Sequence, residues 1–207
     1  MLTIYGVYRS RASRVIWLAH ELGLPFKHSP VIQHGRLANA NVPGETLNTR
    51  SPAFLEINPN GHIPVIDDDG LVLCESLAIN LYLAKKHGGP LAPANVAEDG
   101  EMSMWSLWAA TEVEPNALSV LQKGPSEAPI SALRGPFAVF DKALAKGGHP
   151  VGGRFTVADI NVAENIRYAL GAPGLFDEAP RVKAWLAACH ARPAFKKMWE
   201  AREREPA

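Results

Sequence analysis

The sequence is poor in cysteine. Cys74 and Cys189 are the only two cysteines among 207 residues, and they form no Cys-x-x-Cys pair. One disulfide is possible, but nothing in the sequence requires it. We expect two reduced, buried thiols.

The chain also lacks an excess of charge of either sign and a long apolar run. Lysine and arginine together number 21, as do aspartate and glutamate, so there is no net charge to attract nucleic acid or an anionic membrane. No stretch reaches the roughly 18 apolar residues of a membrane helix. Residues 1–5 start directly with a strand pattern rather than a signal peptide. We expect a cytoplasmic globular protein without a nucleic-acid or membrane partner.

The first part of the chain alternates strand and helix patterns. Strands are predicted at residues 2–5 and 26–32, and helices at 13–22 and 52–57, with a long polar loop over 33–51. Asp69 and Gly70, between two short apolar runs, predict a hairpin, and a helix should follow from Ser76 to about His87. This order predicts a small α/β domain of the thioredoxin type over residues 1–87.

The second part reads as helical throughout. Residues 88–94 are rich in glycine and proline and predict a linker, so an all-helical domain should span 95–207. Helices are expected at 98–113, with Pro115 interrupting the continuation, and at 130–146. Thr156 and Asp159 should start a further helix as a capping box, and two more should complete the chain near 181–191 and 193–204.

The most informative segment lies between residues 58 and 84. Ile63 precedes Pro64, and an X-Pro bond is the only linkage that adopts cis at low cost. Glu75 and Ser76 stand where the hairpin gives way to a helix, whose first turn offers free backbone N–H groups to an anion. Ser76 could hold a carboxylate while Glu75 pairs with an amine, which predicts a pocket for the zwitterionic end of an amino acid or peptide. The alternative is that Ser76 only caps the helix and Glu75 only complements its dipole.

The whole segment closely resembles the glutathione-binding segment of the soluble glutathione transferases. Asn-Pro-x-Gly, x-Ile-Pro and Glu-Ser occur in order and at suitable spacing. The resemblance implies that the backbone of Ile63, before a cis Pro64, pairs with the cysteinyl part of glutathione. It also implies that Glu75 and Ser76 hold the γ-glutamyl amine and carboxylate. His62 would add a contact, unless it is only a turn residue.

Two further stretches extend the resemblance over nearly the whole chain. Residues 49–55 are similar to a family segment in which a cation precedes Ser-Pro-x-Phe-Leu, so Arg50 is the candidate for the glycine carboxylate of glutathione. The alternative for Arg50 is an exposed loop arginine. Residues 153–159 resemble the helix-initiating box of the family's helical domain.

The hydroxyl that stabilises the glutathione thiolate should follow the first strand. Residues 10–15 resemble the serine-type classes of the family, which favours Ser10, although the spacing differs by a residue between those classes. Tyr5 is the alternative donor, or else a core residue, and Ser13 is expected to cap the helix. No cysteine lies here, which argues against the thiol–disulfide chemistry of glutaredoxin-like relatives.

The resemblance therefore implies a glutathione transferase of a serine-type, bacterial-like class. It would be a homodimer that uses glutathione as co-substrate, needs no metal, and conjugates small apolar electrophiles. An aromatic stripe at helical spacing, together with a loop tyrosine, could line the electrophile pocket or belong to the core: Tyr8, Met104, Trp105 and Trp108. The alternatives are a glutathione-dependent peroxidase, isomerase or dehalogenase on the same scaffold, or a non-catalytic binding module.

Overall fold

The computed structural model describes residues 1–39 and 47–205. Part of the predicted loop over 33–51 thus lies outside the described residues. Contacts divide the chain into two compact units, one formed by Met1–Leu83 with the C-terminal residues from Pro193, the other by Ala84–Arg192.

The first unit is built on a four-stranded sheet with the order β2-β1-β3-β4. Its strands are β1 (Leu2–Tyr5), β2 (Phe26–Ser29), β3 (Val65–Asp68) and β4 (Leu71–Cys74). β1 runs parallel to β2 and antiparallel to β3, and β3 and β4 form the predicted hairpin. Its helices are α1 (Ala12–Glu21), a 3-10 helix (His34–Asn39), α2 (Pro52–Ile57) and α3 (Ser76–His87). The predicted thioredoxin-type domain is confirmed.

Two predictions in this unit were wrong in detail. β2 stops at Ser29 instead of continuing to Ile32, because Pro30 has no N–H to donate to a sheet. Ser13 does not cap α1: the helix starts at Ala12, and Ser13 lies fully buried inside it.

The second unit is helical, as predicted. Its helices are α4 (Val96–Trp108), α5 (Glu114–Lys123), α6 (Glu127–Leu144), α7 (Val157–Ile166), α8 (Leu175–Glu178) and α9 (Pro180–His190). A π-helical turn, Ala109–Val113, joins α4 to α5, and a 3-10 turn, Arg167–Ala169, follows α7. The π turn lies just before Pro115, whose missing N–H breaks the regular ladder where the sequence predicts an interruption.

The last helix, α10 (Pro193–Arg204), has the predicted bounds but groups with the first unit. It packs along α1, with the rings of Trp17 and Phe195 in edge-to-face contact at 4.9 Å and Met198 fully buried. The compact units therefore differ from the predicted domain 95–207 at its C-terminal end.

Both cysteines carry free thiols. Cys189 is buried as expected, but Cys74 is half-buried because it ends the edge strand β4.

No helix among the described residues is long and apolar enough to cross a bilayer.

Candidate functional site

Three segments with predicted roles emerge at one end of the sheet. Tyr5, at the end of β1, pairs with Val65 at the start of β3, and Val65 pairs with Cys74 at the end of β4. The loop after β1, the segment before β3 and the segment after β4 therefore leave the sheet side by side. A Cβ atom added to Gly6 would lie 3.4 Å from the Cβ of Ile63, so the first two segments are in contact.

The segment before β3 carries the cis bond that the sequence predicts. The Ile63-Pro64 peptide is cis, and Pro64 is buried. The buried side chain of Asn58 shapes the preceding turn: its Nδ2 donates to the carbonyl of His62 at 2.8 Å. The Asn-Pro-x-Gly motif thus sets the approach of the chain to Ile63.

Gly61 completes this turn for two reasons. Its φ is +60°, a conformation in which a side chain is strained. A Cβ atom there would also lie 2.7 Å from the carbonyl oxygen of Thr49. The turn before Ile63 therefore lies directly against the residues that precede α2.

Arg50 and His62 are both exposed on these neighbouring turns. The backbone N–H of Arg50 donates to Asn48 Oδ1 at 2.9 Å, which orders the turn before α2. The close approach of Gly61 to Thr49 brings the Arg50 turn next to the segment that carries Ile63.

Glu75 and Ser76 form the start of α3 in an uncommon geometry. Glu75 has a φ of +69°, which for a residue other than glycine costs ~1 kcal/mol and is often associated with ligand sites. Its carbonyl accepts the first helical hydrogen bond, from Ile79 at 2.9 Å, while its side chain is exposed. Ser76 is buried, with 4% of its surface exposed. The acid and the hydroxyl thus adjoin the helix N-terminus, as predicted.

A buried arginine lies beneath this pair, and sequence reasoning missed it. Arg14, only 1% exposed, donates from Nη1 to Ser76 Oγ at 3.2 Å. Asn80, on the next turn of α3, donates to the carbonyl of Arg14 at 3.3 Å and ties α3 to α1. In the sequence, this role is indicated by an arginine that stands beside the apolar residues of the first predicted helix. Its guanidinium adds positive charge at the place where a carboxylate is expected.

Ser10 lies between β1 and α1 and is nearly buried, with 9% of its surface exposed. Its hydroxyl donates to the carbonyl of Val7 at 2.6 Å and accepts from the N–H of Ala12 at 3.0 Å. Ser10, rather than Ser13, therefore occupies the hydrogen-bonding position at the start of α1.

The two neighbouring tyrosines differ in their surroundings. Tyr5 packs against the core cluster of Val31, Phe54 and Val65. Tyr8 is half-buried, with its ring edge-on to His28 at 4.9 Å. Burial, and then the negative charge of Glu205, raise the pKa of the Tyr8 phenol, so it remains protonated at neutral pH.

The predicted aromatic stripe on α4 has a divided environment. Met104 is 52% exposed, whereas Trp105 is buried. Trp105 and Trp108 contact each other and the ring of Phe140, with centroid distances between 5.1 and 5.5 Å. These indole rings belong to an aromatic cluster of the helical unit.

Among the described residues, no group of three or more His, Cys, Asp or Glu side chains could hold a metal ion.

Comparisons with known proteins identify relatives of this chain. Residues 8–86 match the family described as glutathione S-transferase, N-terminal domain, and residues 128–188 match the corresponding C-terminal domain. Glutathione S-transferase 3 of Zea mays is 33% identical, over 95% of this chain and 92% of the relative.

Solved structures agree over nearly the full length. Glutathione transferase F7 of Populus trichocarpa superposes with a TM-score of 0.79 at 27% identity, covering 98% of this chain and 99% of that one. The theta class glutathione S-transferase of Xanthomonas axonopodis pv. citri, solved with glutathione bound, has a TM-score of 0.76 at 27% identity, with 95% of each chain covered. The chain therefore belongs to the glutathione S-transferase family, which uses glutathione as its co-substrate.

Proposed function

We propose that this chain conjugates the thiol of glutathione to small apolar electrophiles and that Ser10 stabilises the thiolate. The supporting observation is the meeting of three segments at one end of the sheet: the Ser10 loop, the cis Ile63-Pro64 peptide, and the Glu75 and Ser76 helix start. Each segment can serve a different part of the tripeptide.

The helix start recognises the γ-glutamyl group. Its carboxylate accepts from the Ser76 hydroxyl and lies at the positive end of the α3 dipole, close to the buried charge of Arg14. Its amine pairs with Glu75, the residue directly before α3, whose side chain is exposed.

The remaining parts of glutathione contact the other two segments. The backbone of Ile63 pairs with the cysteinyl residue, as a strand would. Arg50 receives the glycine carboxylate, for which its planar guanidinium is suited. His62 adds a contact from the turn between them.

Ser10 acts on the sulfur. A free thiol has a pKa of about 8.5, so at neutral pH most of it is protonated. The Ser10 hydroxyl can rotate from the carbonyl of Val7 and donate to the sulfur, which favours the anion. Each unit by which the thiol pKa falls corresponds to about 1.4 kcal/mol of preference for the thiolate.

The thiolate sulfur then forms a bond to an electrophilic carbon. In substitution the leaving group departs with the bonding electron pair, and in addition the neighbouring carbon takes a proton from solvent. Tyr8, on the Ser10 loop, is the proposed contact of the apolar substrate, whereas Trp105 and Trp108 pack within the aromatic cluster of the helical unit. We also propose that the enzyme works as a homodimer, as the family resemblance implies, and that it is cytoplasmic.

Calorimetric titration with glutathione at about pH 7, in two buffers of different ionisation enthalpy, tests the proposal. Saturable binding with release of protons is expected, because the bound thiol ionises. A panel of aryl halides, activated alkenes and peroxides then identifies the reaction. No binding at millimolar glutathione would contradict the proposal and leave a non-catalytic module on the same fold.

A further inference from the structure

The C-terminal end of the chain holds the loop that carries Ser10. Glu205, directly after α10, accepts two backbone hydrogen bonds through its carboxylate: from Tyr8 N to Oε1 at 2.9 Å, and from Arg9 N to Oε2 at 2.7 Å. We propose that Glu205 is a positioning residue for Ser10, fixing the backbone of residues 7–9 so that the hydroxyl faces the glutathione sulfur. This inference rests on the proposed role of Ser10.

The carbonyl groups of the same loop are also held by side chains. Arg202 Nη1 donates to the carbonyl of Tyr8 at 2.5 Å, and Arg36 Nη1 donates to that of Arg9 at 3.1 Å. Ser10 itself donates to the carbonyl of Val7. Arg9 returns a bond to the C-terminal end, from Nε to the carbonyl of Glu205 at 2.9 Å. In this loop, the backbone carbonyls therefore accept hydrogen bonds from side chains instead of from the backbone N–H groups of a helix or sheet.

The contact is strong because of its geometry and charge. Both oxygens of one carboxylate accept neighbouring N–H groups, and hydrogen bonds to an ionised acceptor are roughly twice as strong as neutral ones. α10 is itself fixed on α1 by the Trp17–Phe195 contact and by buried Met198. Glu205 therefore has a defined position relative to the helix that begins just after Ser10.

Ser10 depends on this backbone directly. Residues 7–9 lead directly into Ser10, so a shift of their backbone moves the oxygen that must donate to sulfur. In the ligand-free protein that hydroxyl donates to the carbonyl of Val7 within the same loop. Glu75 and Ser76 lie on a different segment, after β4. Loosening the Ser10 loop should therefore affect the thiolate more than the affinity for the peptide.

The test compares Glu205→Gln with Glu203→Gln, an exposed control in the last turn of α10 whose carboxylate accepts from Trp199. In Glu205→Gln one oxygen is replaced by an amide group that cannot accept the second N–H. We expect kcat to fall about 10-fold and the pKa of the bound thiol to rise, while the Kd for glutathione changes less than about twofold. Hydrogen exchange of the ligand-free protein should quicken at the Tyr8 and Arg9 amides and at few other sites. Glu203→Gln should match the wild type in all four readouts.

A double variant separates this inference from the proposed function. If Glu205 acts through Ser10, the pair Ser10→Ala and Glu205→Gln together should be no slower than Ser10→Ala alone. A further 10-fold loss in the double variant, or an unchanged kcat and thiol pKa in Glu205→Gln, would overturn the inference. An unchanged thiol pKa in Ser10→Ala would instead contradict the proposed role of Ser10, and with it the premise.

Discussion

At the residue scale, Glu75 combines an unfavourable backbone with an exposed carboxylate. Its φ of +69° is a conformation that glycine would adopt without strain, yet the chain has an acid there. Beneath it, Ser76 and Arg14 form a buried polar contact that an apolar core would not need. Both features are explained if the helix start binds the two charges of an amino-acid end.

Replacing Glu75 by glutamine should therefore weaken glutathione binding. Loss of a charge-assisted contact to the amine costs about 1.5–3 kcal/mol, so Kd should rise roughly 10-fold or more. Calorimetric titration measures this, and urea unfolding should show an unchanged fold. Glu56→Gln, on the exposed face of α2, is the matched control and should bind as the wild type does. Unchanged affinity in Glu75→Gln would remove this residue from the site.

Gly61 offers a second test at this scale. Gly61→Ala forces a side chain into a left-handed conformation and against the Thr49 carbonyl, so it should cost more than about 2 kcal/mol of unfolding free energy. Gly23→Ala has a similar φ, +65°, but apart from its chain neighbours no described residue has an atom within 4 Å of the added Cβ, and the change should cost about 1 kcal/mol. If urea unfolding gave the same loss of unfolding free energy for both variants, the close approach of Gly61 to the Thr49 carbonyl would contribute nothing to stability.

At the scale of elements, the start of α7 carries more than the capping box that the sequence predicts. Thr156 and Asp159 form that box, with Asp159 Oδ2 accepting from the N–H of Thr156 at 2.8 Å. Asp159 Oδ1 also accepts from Trp185 Nε1 at 2.8 Å and contacts His149 Nδ1 at 2.7 Å. One fully buried carboxylate thus joins α7, α9 and the segment after α6.

This arrangement predicts a dependence of stability on pH. The hydrogen bond that His149 donates to Asp159, more than the charge of that carboxylate, raises the pKa of His149 above its ordinary 6.5, against the opposing effects of burial and Arg192. A raised pKa in the folded state means that the stabilisation is complete below about pH 6.5 and is lost as the pH rises through the folded value.

Urea unfolding of the wild type and of His149→Gln, at about pH 5.5 and about pH 8.5, checks the sign. The wild type should lose more unfolding free energy from the lower to the higher pH than the variant does, because only the wild type has an imidazole at position 149. An equal loss in both proteins would show that other groups control the pH dependence.

At the scale of the whole molecule, local signals predicted most elements. The bounds of α2, α3 and α10 and the hairpin are as predicted, because each depends on caps, prolines or turns that are neighbours in sequence. The cis Ile63-Pro64 peptide is as the family resemblance implies. The order of these elements predicted the fold class, and the family resemblance, through Asn-Pro-x-Gly and Glu-Ser, predicted the co-substrate.

What the sequence did not predict depends on contacts between distant residues. Arg14 meets Ser76 across 62 positions, and Glu205 meets Arg9 across 196. In the sequence, Glu205 only follows a run of alternating acids and bases, a pattern typical of the solvated end of a helix. The grouping of α10 with the first unit was missed for the same reason. The roles of Ser10, Arg50 and the α4 stripe remain predictions.

The most direct measurement for the account is the pKa of the glutathione thiol bound to the enzyme. Ultraviolet difference titration of the thiolate gives it for the wild type, Ser10→Ala and Tyr5→Phe. The account predicts a value well below the ordinary value of about 8.5 in the wild type and in Tyr5→Phe, and a return toward that value in Ser10→Ala. A Ser10→Ala enzyme that titrates like the wild type, or a Tyr5→Phe enzyme that loses the shift, would contradict it.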